Sequence, residues 1–101
     1  MALLHVLGSL TSATFNNCVF HDNSNDGILV SDNATIHLHG EATAIHSNFG
    51  RGNFGRGIFA SYSAKVIIHL PSHHNTVYNN GEEDQFTYDG GTITITYGYN
   101  I

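Results

Sequence analysis

The chain has 101 residues, enough for one domain, and 41% of them are hydrophobic, so a buried core is within reach. Only 11% are charged, and three Lys+Arg stand against eight Asp+Glu for a net charge of -5. Phosphate-backbone binding needs clustered cations, so this balance excludes nucleic acid as a partner. The single Cys18 forms no internal disulfide and leaves the redox compartment open.

The opening MALLHVLGSL is apolar, but it lacks a basic start, carries His5 and is too short to span a bilayer. It reads as a first strand, and no membrane span is expected. SATFNN from Ser12 and CVFHDN (18–23) follow, then a turn-rich HDNSNDG. Ile28 and Val30 stand two apart, as do Ile36 and Leu38 within NATIHL from Asn33. TAIHSN (43–48) closes this stretch. Next come the doublet NFGRGNFGRG (48–57), Ile58 and Ala60, SAKVII from Ser63, NTVYNN (75–80) and GGTITI from Gly90. Period two predicts strands throughout, and no segment holds a 3.6 period long enough for a helix.

These pieces repeat. CVFHDN, TAIHSN and NTVYNN each close on an asparagine: Asn23, Asn48, Asn80. SATFNN, NATIHL, SAKVII and GGTITI align on Ala13, Ala34, Ala64 and Gly91. Asn23 to Ala34 and Asn80 to Gly91 are both 11 residues, whereas Asn48 to Ala64 is 16. One NFGRG accounts for the extra five, so 48–57 reads as a surface turn lengthened by duplication. The repeat points to a coil of strands with like residues stacked over like. The expected columns are Phe15–Ile36–Val66–Ile93, Phe20–Ile45–Val77 and Ile28–Ile58 inside. Asn23–Asn48–Asn80 forms an amide ladder, placed where Asn tolerates left-handed backbone.

The run F-x-x-C-x-F-x-x-N (Phe15, Cys18, Phe20, Asn23), with DGI and ATI after it, resembles the repeats of right-handed parallel β-helix proteins, the pectin-lyase-like superfamily. The resemblance covers nearly the whole chain. It implies an all-β, right-handed parallel β-helix (solenoid) of about four rungs, an extracellular or cell-surface setting, and glycan as a ligand class. It also implies that residues 1–101 form a single β-helix domain, a segment of a longer β-helix protein.

Catalytic members of that superfamily gather aspartates on neighbouring rungs. Here Asp22, Asp26, Asp32, Asp84 and Asp89 fall in turn contexts. Asp22 aligns with Ser47 and Asn79, and Asp32 with Tyr62 and Asp89, so no column pairs two carboxylates on adjacent rungs. No catalytic residue is assigned. The expected function is a non-enzymatic structural or adhesive module, glycan-binding or self-associating. The alternative is a fragment of a carbohydrate-active lyase, hydrolase or epimerase lacking its catalytic rungs. Candidate ligand contacts are Arg51 and Arg56 on the doublet and the outward His37, His39, His69 and His73. His39 and His69 should be neighbours, and on the His37/His39/His69 face, with one of Glu41 or His73, they form a candidate site for a divalent metal, the one cofactor considered. His21, His46 and Tyr78 form a second outward column, read as structural. Neither terminal segment, ALLHVL nor GGTITITYGYNI, carries a charge cluster or Pro, so pairing with itself or with further rungs is expected.

Overall fold

The computed structural model describes residues 4–7, 11–49, 55–69 and 76–96. Every regular element among them is a strand. The strands are β1 (Leu4–Leu7), β2 (Ser12–Asn16), β3 (Val19–His21), β4 (Ile28–Ser31), β5 (Thr35–His39), β6 (Ala44–His46), β7 (Arg56–Ser61), β8 (Lys65–His69), β9 (Val77–Tyr78), β10 (Glu83–Tyr88) and β11 (Thr92–Thr96). They build three sheets, ordered β1-β4-β7-β10, β2-β5-β8-β11 and β3-β6-β9. The chain visits the three sheets in rotation, and every strand pairing is parallel. No helix among the described residues is long and apolar enough to cross a membrane.

Alternation fixes which side chains meet. In β4 and β5 the residues Ile28, Val30, Ile36 and Leu38 are fully buried, and Ile45, Ile58, Ala60 and Val66 join them at 0% exposure. They form one core cluster, with Ala13, Phe15, Phe20, Val77 and Ile93 packed against it from the end strands. Each large aliphatic side chain buried this way contributes about 1.5–3 kcal/mol. Register confirms the Phe20–Ile45–Val77 and Ile28–Ile58 columns. It corrects one. Ile36, Val66 and Ile93 stack, but the residue beneath Ile36 is Ala13, and Phe15 lies beneath Leu38. Aligning SATF with NATI by letter slips the first unit by two residues. A slip of two preserves which face each side chain takes, so the period-two pattern does not detect it.

The bends between the first two sheets hold paired left-handed residues: Asp32–Asn33 (φ 59 and 66), Tyr62–Ser63 (52 and 65) and Asp89–Gly90 (48 and 85). The N–H of Ala34, Ala64 and Gly91 donates back to Ser31, Ser61 and Tyr88, closing four-residue turns. After the third sheet, Asp22, Ser47 and Asn79 are left-handed. The asparagines of the ladder come one residue later. Their columnar order therefore owes nothing to left-handed backbone and rests on amide bonding.

That bonding is complete. Asn48 Oδ1 accepts from Asn23 N (3.1 Å) and Asn23 Nδ2 (2.7 Å). Asn80 Oδ1 accepts from Asn48 N (3.0 Å) and Asn48 Nδ2 (2.9 Å). Asp84 Oδ1 then accepts from both Asn80 N and Asn80 Nδ2 at 3.0 Å, occupying the place another asparagine oxygen would take. Gly27 and Gly57 let this ladder approach the first sheet. A Cβ on Gly27 would lie 2.8 Å from Asn48 Nδ2, and one on Gly57 would lie 2.6 Å from Asn80 Nδ2.

The doublet leaves and rejoins this frame at a closed neck, where Phe49 O accepts from Gly55 N. Residues 50–54, including Arg51, lie outside the described residues.

Candidate functional site

The outer face of the second sheet carries the histidines. In β5 and β8 the inward residues are Ile36, Leu38, Val66 and Ile68, so His37, His39 and His69 project outward, each half-buried. The pairing Leu38↔Ile68 sets His39 beside His69. Their rings stack at 4.0 Å between centroids and 7° between planes. His37 lies opposite Ile67 and so sits diagonal to His69, with centroids 5.1 Å apart. His37 Nδ1 and His69 Nε2 approach to 2.9 Å. Two ring nitrogens at that distance share one proton, one donating and the other accepting. Burial, then the neighbouring His39 and His37, hold the His69 pKa below the ordinary histidine value.

Each of the three residues offers a nitrogen, and these atoms lie within 4.8 Å of one another. The sequence sets His37, His39 and His69 on one outward face with His39 beside His69, and offers Glu41 or His73 as a further ligand. Glu41 is exposed in the turn after β5, outside this cluster, and His37 stands in its place. Counting along one strand does not reveal a diagonal neighbour across two strands. His73 lies outside the described residues.

The third sheet carries a second outward column. His21 stacks on His46 at 5.2 Å, and His46 on Tyr78 at 5.0 Å. Each histidine also bonds the side chain after it: His21 Nδ1 to Asp22 Oδ2 at 2.5 Å, and His46 Nδ1 to Ser47 Oγ at 2.9 Å. Those partners are the left-handed corner residues, so this column braces the bend.

Arg56 does not project from the doublet. It opens β7, and its guanidinium carbon lies 4.8 Å from the Phe59 ring centroid and 4.4 Å from that of Phe86. Its Nη2 is 3.3 Å from Glu82 Oε1. The cation is spent on the outer face of the first sheet, where Phe59 and Phe86 are strand partners. Sequence reasoning missed both rings. The available signal was their outward parity beside Ile58, two aromatics facing solvent with an arginine three residues upstream of the first.

Below Arg56, Asp26 Oδ1 accepts from the Arg56 N–H at 2.9 Å. Burial raises the Asp26 pKa, against the opposing pull of that bond and of the Arg56 charge, and Glu82 raises it further. A carboxyl whose folded pKa exceeds its unfolded value weakens the fold above that range, and the deficit fades as pH falls through the folded pKa. Asp26→Asn keeps the accepting oxygen and removes the charge. Its melting temperature should therefore exceed the wild type slightly at pH 7, with the difference vanishing in acid. A variant that melts lower at pH 7 would contradict this account.

Comparison with family models, with curated proteins and with solved structures found no match to this chain.

Proposed function

We propose that this chain is about four rungs of a right-handed parallel β-helix and works as a structural module that associates with copies of itself. The observation that carries the reading is the contrast between the middle and the ends of the second sheet. Leu38 and Ile68 are buried at 0% and 2% exposure, whereas Ile95, the next residue of the same column, is 52% exposed. At the opposite edge, Ala13 and Phe15 are only partly buried. Among the described residues, nothing further extends these columns at either end of the sheet.

The edges differ in protection. Reading the terminal segments alone overlooked β10, an edge strand that carries Glu83 and Asp84 in its own sequence. Charges on an edge discourage pairing. Beside the third sheet, the carboxylate of Asp84 caps the amide ladder. The two edges of the second sheet, β2 (SATFN) and β11 (TITIT), have no charge and no proline. Both run parallel in the same sheet, so β11 of one copy complements β2 of the next. That contact is head-to-tail and does not close on itself, which favours linear assemblies.

The aspartates support a non-catalytic role over the carbohydrate-active alternative. Asp26 and Asp84 bind backbone N–H groups, and Asp22, Asp32 and Asp89 hold left-handed corners. Sedimentation of the untagged chain tests the proposal. The mass should grow with concentration from the 11.0 kDa monomer, and Ile95→Lys should restore the monomer without unfolding it. A wild type that stays monomeric at all concentrations would refute self-association, and cleavage of a polyuronate by the chain would refute the non-enzymatic role.

A further inference from the structure

We propose that His37, His39 and His69 form a binding site for a divalent transition-metal ion of the zinc, nickel or copper class. The inference depends only on the register of β5 and β8 and stands apart from the proposed assembly. Three imidazoles supply three nitrogen donors within 4.8 Å of one another. Imidazole suits zinc, copper and nickel, whereas calcium and magnesium require oxygen ligands. The rows of the sheet agree with that choice. In those rows His39 is flanked by Asn16 and His69 by Thr96, neither a carboxylate.

The distances require only a small adjustment. Donors bound tetrahedrally at 2.0–2.1 Å from zinc lie roughly 3.3 Å apart. His37 Nδ1 and His69 Nε2, at 2.9 Å, already face each other across one shared proton. An ion takes that proton's place, the donating ring carries its proton on its other nitrogen instead, and the two nitrogens move slightly apart. The greater change falls on His39, whose ring lies flat against His69. A nitrogen lone pair lies in the plane of its ring, so two parallel rings do not both aim at one ion. His39 must turn about its outer torsion, which is broad and soft for histidine. The backbone beneath stays fixed, because β5 and β8 are the two inner strands of a four-stranded sheet. Three protein donors on an outer face leave a fourth position for water, the arrangement of an open rather than a closed zinc site.

Calorimetric titration of the whole chain, carrying no polyhistidine tag, tests the site with ZnCl2, NiCl2 and CuCl2, and with CaCl2 and MgCl2 as comparisons. One transition-metal ion should bind per chain, and calcium and magnesium should not compete. His39→Ala, His69→Ala and His37→Ala should each weaken zinc binding by at least roughly tenfold, whereas His21→Ala, in the other column, should leave it unchanged. Circular dichroism checks that each variant folds; where an alanine variant does not, the corresponding glutamine variant takes its place. Zinc should also shift the ring-nitrogen resonances of these three histidines and leave those of His21 and His46 in place. Absence of zinc, nickel and copper binding would overturn the proposal. So would binding that survives His39→Ala and His69→Ala, or binding that is lost equally with His21→Ala.

Discussion

Asn48→Ala is expected to remove about 3–5 kcal/mol of stability, a large share of what a chain this size holds. Asn48 is fully buried. Its amide nitrogen donates to Phe20 O and His46 O, each at 3.1 Å, and to Asn80 Oδ1. Its amide oxygen accepts both donors of Asn23. Alanine removes the hub and leaves several buried partners unsatisfied. The ends of the ladder should matter less. Asn23→Ala removes only the Nδ2 donor to Asn48 and keeps the backbone N–H bond, and Asn80 is only half-buried. Asn48→Asp should be worse than alanine near neutral pH. It retains an acceptor for Asn23 but turns a second, charged oxygen toward the carbonyls of Phe20 and His46. Urea denaturation of the four proteins at one pH gives the order. A loss below about 1 kcal/mol for Asn48→Ala would mean that the ladder decorates the fold and does not hold it.

Gly57→Ala should cost about 2–3 kcal/mol, the upper part of the range for an overpacked site. The new methyl would lie 2.5 Å from Asp84 O, 2.6 Å from Asn80 Nδ2 and 2.7 Å from Val77 Cγ1. One of these is backbone and another belongs to the amide ladder, so neither yields cheaply. Relief means moving β10 away from β7 or displacing Asn80. Gly90→Ala provides the contrast. Its φ is +85, but the nearest atom would be Ser63 Oγ at 3.2 Å, and Ser63 holds the equivalent corner as a non-glycine residue. That change should cost only about 1 kcal/mol, the strain of a left-handed alanine. A loss at Gly57 no larger than that at Gly90 would show that the closeness of the ladder does not set the requirement at Gly57.

Much of this was legible where chemistry and spacing agreed. Asn23, Asn48 and Asn80 were found because a side-chain ladder needs the same residue in every unit. His39 and His69 were paired because β5 and β8 have equal lengths from Ala34 and Ala64. Phe15 was misplaced because alternation carries parity but not register, and the shared letters Ala-Thr offered a false anchor. Glu41 was offered beside the His37, His39 and His69 face because a linear reading looks ahead along the chain, whereas the third nitrogen comes from the diagonal across the sheet. Arg56 was read as a ligand group because its partners Phe86 and Glu82 are distant in sequence and carry no repeat signal. Gly27 and Gly57 occupy matching places in the units, yet their importance appears only once the asparagine amides are seen pressing against them.

The amide ladder also has a sense of direction. Asn23 donates to Asn48, Asn48 to Asn80 and Asn80 to Asp84, always the same way along the axis. Aligned carboxamides add their dipoles much as peptide groups do in a helix. One pole of this small battery therefore attracts anions, and a carboxylate that accepts without donating sits there and ends the relay. The opposite pole presents an amide oxygen, so a hydrogen-bond donor or cation would be the complementary group at the Asn23 face.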